Sequence, residues 1–171
     1  MTETDEPLPR RVCLQVAHLV ADAPWLWAEH VRHDPGGRQP VRLLGTDRYE
    51  AWVIGWTPGQ SVELHDHGDA LGALVVTDGE LVEITGRFHP RRRVLATGTA
   101  RVMGPGHVHD VLNVGPAPAT SVHVYSPPLR TMTFYDPVDG HPSRTEAIAA
   151  AAPVLGLDPA PFLHPAGLVG G

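Results

Sequence analysis

The chain's most chemically suggestive feature is a pair of histidines separated by one residue, His65 and His67. On a β-strand, side chains two positions apart point to the same face, so both imidazoles can converge on one metal ion. A third histidine, His109, comes much later in the chain, and His107 lies two positions before it and could take its place. Three imidazoles predict a site for Fe, Zn, Cu or Ni, because imidazole is a suitable ligand for each of these metals.

A second polar group lies in the alternating strand sequence Ser-Val-His-Val-Tyr. Ser121, His123 and Tyr125 share one face of this predicted strand, and the two valines share the other. Three polar groups that face a barrel interior must be hydrogen-bonded. A serine–histidine–tyrosine relay would satisfy them and present the tyrosine hydroxyl to a ligand, with the histidine orienting the phenol. The alternative is a strand that faces solvent.

The elements that position these residues are predicted to be short strands. Gly and Pro number 18 each, which indicates many tight turns. Apolar runs between turn residues predict strands at 49–57, 71–77, 80–85, 92–96, 99–103, 110–114, 119–126 and 130–135. Asp78-Gly79 favours a hairpin between the second and third of these strands. The pattern is typical of a closed or sandwiched β-barrel.

The two ends of the chain have a different character. Residues 1–10 are expected to be disordered, and helical periodicity over 11–34 is interrupted by Pro24, which predicts two helices. Ser143 and Glu146 form a capping box that predicts an alanine-rich helix to about residue 152. The expected organisation is one mainly β domain over 11–136 that includes the N-terminal helices. A short C-terminal helix and a Pro/Gly/Ala-rich tail follow over 137–171.

The composition restricts the classes of function. The net charge of −6 gives no reason to expect nucleic acid or an anionic membrane as partner. No lysine is present, which excludes Schiff-base chemistry, and the single Cys13 excludes an internal disulfide. No apolar run could span a membrane, and the polar first residues show no secretory signal. We therefore expect a cytoplasmic monomer.

The histidines fall within two motifs that resemble those of the cupin family. Gly59, His65, His67 and Gly79 match the spacing of the first motif. Gly98, Pro105, Gly106, His109 and Asn113 match the second, with small spacing changes at the first gap and in the Pro-Gly step. Most cupins have a glutamate ligand where this chain has Gly72. The resemblance therefore implies an open site with three neutral imidazoles and no carboxylate. A metal ion in it would keep its full positive charge, which favours an anionic ligand such as a thiolate.

Within the cupins, the chain resembles the cysteine dioxygenase family over roughly residues 40–136. The resemblance rests on Ser-Val-His-Val-Tyr-Ser-Pro-Pro after the three histidines, and on Trp-Thr-Pro-Gly-Gln before them. It implies non-haem Fe(II) held by His65, His67 and His109. It also implies that the relay of Ser121, His123 and Tyr125 lies beside the iron.

In that family an arginine early in the barrel binds the substrate carboxylate. By position this role is assigned to Arg42, with Arg48 and Arg130 as alternatives. Animal members have a cysteine, bonded to the tyrosine, where this chain has Gly72. The resemblance therefore implies a free Tyr125 without a thioether cross-link.

The expected activity is oxidation of L-cysteine by O2 to cysteine sulfinate. Cysteine would bind through its sulfur and nitrogen, and Arg42 would hold its carboxylate. A 3-mercaptopropionate dioxygenase is the first alternative; in that subgroup glutamine replaces the early arginine, so Arg42 favours cysteine. An alternative of another class is a non-oxidative cupin, such as an isomerase or a small-molecule-binding protein.

Overall fold

A computed structural model describes residues 6–156 of the chain. It contains one α-helix, α1 (Arg10–Ala21), and a 3₁₀ turn at Pro24–Leu26. The strands are β1 (Val41–Gly45), β2 (Glu50–Trp56), β3 (His65–Asp66), β4 (Leu71–Asp78), β5 (Glu80–Thr85), β6 (Arg91–Ala96), β7 (Ala100–Met103), β8 (His109–Leu112), β9 (Ala119–Ser126), β10 (Thr131–Tyr135) and β11 (Pro142–Ala147).

The strands form two antiparallel sheets that face each other. The order is β1-β2-β9-β4-β7 in the five-stranded sheet and β11-β10-β3-β8-β5-β6 in the six-stranded sheet. β3 and β8 lie side by side in the second sheet, and β9 is the middle strand of the first. The predicted mainly β cupin fold is thus confirmed.

The five-stranded sheet is buried on both faces. On its outer face, α1 packs an apolar stripe that includes Val16 and Val20 against a cluster that contains Val122 and Val124. On its inner face a second cluster, which includes Trp56, lies between the two sheets. Since both faces of β9 are covered, every residue of this strand is buried, and its polar side chains need partners inside the barrel.

The turn at Gly79 is a corner between the sheets and not the predicted hairpin. β4 pairs with β7 and β9, whereas β5 pairs with β6 and β8. Gly79 has φ of 75°, and a Cβ atom there would lie 2.7 Å from the carbonyl oxygen of Pro118. The Asp-Gly signal therefore marked a glycine that the backbone requires, but the chain changes sheet at this point.

The N-terminal segment also differs from its prediction. Only one α-helix forms in the described residues, because after Pro24 the chain makes a 3₁₀ turn and further turns where a second helix was expected. Residues 6–10 were predicted to be disordered, yet Leu8 is buried and its amide donates to Ser126 Oγ. Residues 1–5 of that prediction lie outside the described part. No helix within 6–156 is long and apolar enough to cross a membrane.

The predicted C-terminal helix is wrong over its whole length, since no residue from 143 to 152 is helical. Residues 142–147 form β11, which pairs with β10 through a turn in which the Gly140 amide donates to the Asp136 carbonyl. The Arg144 guanidinium lies 3.8 Å from the centre of the Phe134 ring across this strand pair. Cross-strand pairing and stacking thus override the local helix signal. The rest of the predicted tail, 157–171, lies outside the described residues.

Residues 148–155, here called the strap, connect the edges of the two sheets. The strap leaves β11, and the amides of Val154 and Leu155 donate to the carbonyls of Arg42 and Leu43 on β1. Its first residue, Ile148, lines the barrel cavity. The strap therefore covers the edge of β1 and supplies part of the cavity wall.

Candidate metal centre

Three histidines come together between β3 and β8. His65 on β3 is the register partner of His109 on β8, and His67 follows two residues after His65. All three side chains are buried. One ligand nitrogen from each lies within 4.8 Å of the others, a spacing at which one metal ion could contact all three.

Hydrogen bonds fix which ring nitrogen faces the centre of this cluster. His65 Nδ1 lies 2.8 Å from the carbonyl oxygen of Glu63, and His109 Nδ1 lies 3.0 Å from Oε1 of Glu83. Since both partners accept hydrogen bonds, each Nδ1 carries the proton and each Nε2 is left with a free lone pair. The Nε2 atoms of His65 and His67 are 3.1 Å apart, so their lone pairs converge.

The electrostatics keep the rings of His65 and His67 neutral. Burial, reinforced by the neighbouring His109, lowers the pKa of His65 to about 3. Burial and the adjacent His65 also place the pKa of His67 well below its ordinary value. Neutral imidazoles with converging lone pairs are the donor set of a mononuclear transition-metal site, and the residues therefore fit the implied iron.

A carboxylate lies directly behind this cluster. Glu83 on β5 is fully buried, and it accepts hydrogen bonds from His109 and from Arg101 Nε, the latter at 2.8 Å. Burial alone would raise the pKa of Glu83, but His107, His109 and Arg101 outweigh it and hold the pKa below its ordinary range. His107, the alternative ligand, has its Nε2 3.8 Å from Glu83 and groups with Glu83 and His109 instead of with His65 and His67.

The polar residues of β9 form a hydrogen-bonded chain. Trp56 Nε1 donates to Ser121 Oγ over 2.9 Å, and that oxygen lies 2.8 Å from His123 Nε2. His123 Nδ1 lies 3.3 Å from the Tyr125 hydroxyl. Burial lowers the pKa of His123 to about 3 and raises the pKa of Tyr125. The chain therefore stays uncharged at neutral pH and ends at a phenol whose ring centre is 4.8 Å from that of His67.

The cluster and Tyr125 line one cavity of about 160 Å³. Most of its wall is apolar. The lining residues are Arg38, Pro40, Trp52, Ile54, Trp56, Val62, His65, His67, His109, Val111, His123, Tyr125, Leu129, Met132 and Ile148. A small and largely apolar chamber of this kind strengthens the few polar contacts within it.

Arg38, and not Arg42, is the arginine that lines this cavity. The Arg42 Nε lies 2.9 Å from Glu50 Oε2, and its Nη1 donates to the carbonyl of Ala151 in the strap. Arg42 is on the inner side of β1, but the Glu50 carboxylate occupies its guanidinium. Substrate binding by Arg42 therefore stays a prediction, and Arg38 is the arginine that the cavity wall contains.

The Arg38 guanidinium lies over the Trp56 ring, 5.1 Å from its centre, and its Nε donates to the Ser61 carbonyl. The two alternatives from the sequence lie elsewhere. Arg48 donates to the Glu6 carbonyl at the surface, and Arg130 is exposed.

Gly72 lies beside Tyr125 in the paired strands β4 and β9. A Cβ atom at Gly72 would be 3.4 Å from Tyr125 Cε1 and 2.9 Å from Met103 Cε. This is where a cysteine would meet the tyrosine ring. Cys13 lies on α1, on the opposite face of the sheet, with its thiol directed at the Val124 carbonyl. The described residues thus leave Tyr125 without a thiol neighbour.

Sequence reasoning missed three residues of the site: Arg38, Glu83 and Trp56. Arg38 lies between the predicted helical segment and the first predicted strand, where no site residue other than Arg42 was expected. Glu83 shares one face of β5 with Leu81, and both are fully buried, but in the sequence Val82 and Ile84 make the opposite face of this strand the more apolar one. A charged residue at an inward strand position indicates a polar network.

Comparison with known proteins agrees with this geometry. The chain is 25% identical over 131 residues to bovine (Bos taurus) cysteine dioxygenase type 1, and 28% identical over 109 residues to the zebrafish (Danio rerio) protein. These matches cover 69% and 57% of this chain, and the chain spans only 65% and 54% of the length of those relatives.

Solved structures support the fold. A double-stranded β-helix protein from Klebsiella pneumoniae superposes with a TM-score of 0.53 at 29% identity, covering 58% of this chain and 85% of that one. An oxalate oxidase bound to the substrate analogue glycolate superposes with a TM-score of 0.50 at 25% identity, covering 59% and 56%. The model of the family "Cysteine dioxygenase type I" matches residues 13–138. The chain therefore belongs to the cysteine dioxygenase type I family.

Proposed function

We propose that this chain is a thiol dioxygenase that binds one Fe(II) through His65, His67 and His109. The substrate is a small thiol carboxylate, with L-cysteine first, and both atoms of O2 are transferred to its sulfur to give a sulfinate. The observation that supports this most strongly is the convergence of three imidazoles beside Tyr125 in a small apolar cavity. The cytoplasmic location and the monomeric state stay predictions from the sequence.

Bound Fe(II) would supply the electron transfer between thiolate and O2, and the protein would supply orientation and electrostatics. Arg38 is the one cationic side chain among the residues that line the described cavity. Its guanidinium can pair with a carboxylate in a bidentate, charge-assisted geometry. This pairing would fix the far end of the substrate and leave the thiol near the histidines.

The Tyr125 hydroxyl acts as a hydrogen-bond donor to the reacting group. Ser121 has no acceptor for its own proton other than His123 Nε2 among its described contacts. His123 therefore holds its proton on Nδ1, and this N–H donates a hydrogen bond to the Tyr125 oxygen. The phenol proton can then point into the cavity. A neutral donor at this place would stabilise negative charge on oxygen during the reaction.

A second candidate substrate is 3-mercaptopropionate, which lacks the amine. No carboxylate side chain lines the described cavity, so the protein offers no anionic partner for a substrate ammonium. This observation favours an amine-free thiol. Cysteine would need the metal to bind its amine directly.

The test is metal analysis combined with O2 uptake. The protein is loaded with Fe(II) and supplied with cysteine, 3-mercaptopropionate or cysteamine, and the sulfinate product is measured with the oxygen consumed. We expect one sulfinate per O2 with a carboxylate thiol. Stoichiometric zinc with no oxygen uptake from any of the thiols would favour a non-oxidative cupin and refute the proposal.

A further inference from the structure

The carboxylate of Glu83 lies outside the cavity but next to the proposed metal site. It is fully buried, and its two oxygens have different partners: His109 Nδ1 at 3.0 Å and Arg101 Nε at 2.8 Å. Glu83 and Arg101 belong to different sheets, on β5 and β7. A buried carboxylate is costly unless it is fully paired, and Glu83 directs one of its two oxygens to a histidine that faces the cavity.

A purely structural ion pair does not explain the contact with His109. Arg101 is partly exposed, with 24% of its side chain accessible to solvent, so it could remain hydrated without a buried partner. The inward position of Glu83 instead places its second oxygen on His109, and β5 pairs with β8 in the register that makes these two residues diagonal neighbours.

We propose that Glu83 is a positioning residue for His109, and that it supplies from behind the ring the negative charge that Gly72 cannot supply as a ligand. This inference rests on the metal site of the proposed function. By accepting a hydrogen bond from the Nδ1–H of His109, Glu83 keeps the Nε2 lone pair directed at the metal and makes that nitrogen a stronger donor. Arg101 opposes this effect, because it withdraws negative charge from the same carboxylate.

The two partners of Glu83 therefore have opposite expected effects. Replacing Glu83 with glutamine keeps a hydrogen-bond acceptor but removes the charge, which should weaken metal binding. Replacing Arg101 with glutamine leaves the Glu83 charge less neutralised, which should leave metal binding unchanged or make it tighter. A structural ion pair predicts the same loss from either substitution.

A second metal ion between Glu83, His107 and His109 is a different interpretation of the same residues. Against it, Arg101 already occupies Glu83 Oε2, and the His107 Nε2 is 3.8 Å from Oε1. We therefore expect one metal ion for each chain. Binding of two equivalents in the wild-type protein, with the second lost in E83Q, would overturn the proposal.

The test measures Co(II) affinity by chelator competition on the full chain, with no turnover. For E83Q we expect an affinity lower by about 10- to 100-fold, and for R101Q an affinity equal to that of the wild type or higher. Glu80 is exposed on the same strand, so E80Q is the matched control and should bind like the wild type. Thermal unfolding of each metal-free variant verifies that it folds.

If E83Q does not fold, the double variant E83Q/R101Q leaves no buried charge unpaired and should show the same loss of affinity. Wild-type affinity in E83Q or in the double variant, or equal losses in E83Q and R101Q, would overturn the role of Glu83 alone. A wild-type chain that binds no Co(II), Fe(II) or Zn(II) would instead overturn the proposed function, and this inference with it.

Discussion

The presence of Arg38 in the cavity wall gives the sharpest test of the proposed substrate site. In Arg38→Met the aliphatic part of the side chain is kept and the guanidinium is lost. Arg38 is the arginine that lines the cavity, and burial lowers its pKa from the ordinary value, though an arginine stays charged at neutral pH. The substitution therefore removes one positive charge from a largely apolar chamber.

The magnitude follows from the bonds that are lost. A hydrogen bond to a charged group contributes about 1.5–3 kcal/mol. Because Arg38 is only partly buried, we expect the lower half of that range, which corresponds to about 10- to 40-fold in kcat/KM. The loss should affect thiols that carry a carboxylate, and cysteamine, which has none, should be oxidised with nearly unchanged kcat/KM.

The assay is initial-rate O2 uptake with cysteine, 3-mercaptopropionate and cysteamine. Arg130 is exposed, so Arg130→Met is the matched control and should not alter any of the three. Equal losses for cysteamine and for the carboxylate thiols would refute the reasoning. A carboxylate-specific loss in Arg130→Met would show that a different arginine binds the substrate.

Three further predictions concern the histidines and the tyrosine. His67→Ala should abolish iron binding, measured by metal analysis after Fe(II) loading, and full retention of iron would refute the ligand assignment. The wild-type protein should run as one band on a denaturing gel because Gly72 offers no sulfur to Tyr125. A doublet that collapses in Tyr125→Phe would contradict this. Since burial lowers the pKa of His123 to about 3 from 6.5, its contribution to stability is present above pH 6.5 and is lost as the pH falls towards 3. The unfolding free energy of the metal-free wild-type protein should therefore fall faster than that of His123→Gln over this interval, by about 1.4 kcal/mol per pH unit. Parallel profiles of unfolding free energy against pH would show that His123 is not neutralised by burial.

The parts of the fold that depend on local alternation could be predicted. Ser121, His123 and Tyr125 alternate with valines, and the structure buries the two sets on opposite faces of β9. The convergence of His65 and His67 could likewise be predicted from their spacing, because β3 and the residue after it are enough to place the two rings together. In both cases the side-chain period of a strand is enough to predict which groups meet.

The errors occur where a distant partner decides the outcome. The capping box of Ser143 and Glu146 is a sound helix signal, but pairing with β10 makes the segment a strand. Arg42 is a different case: its role in substrate binding stays a prediction, and the structure adds that Glu50 from the next strand pairs with it. Local sequence shows neither the partner strand nor the opposing charge.

The strap has a consequence for the order in which the site is built during synthesis. All three histidines and Tyr125 precede residue 126 in the chain, whereas Ile148 and the amides that bond to β1 come later. A nascent chain can therefore possess its complete set of imidazoles while one wall of the chamber is still missing. During that interval the ribosome-bound domain would expose its histidines to water and to competing metals, until Leu129, Met132 and finally Ile148 of the strap complete the wall.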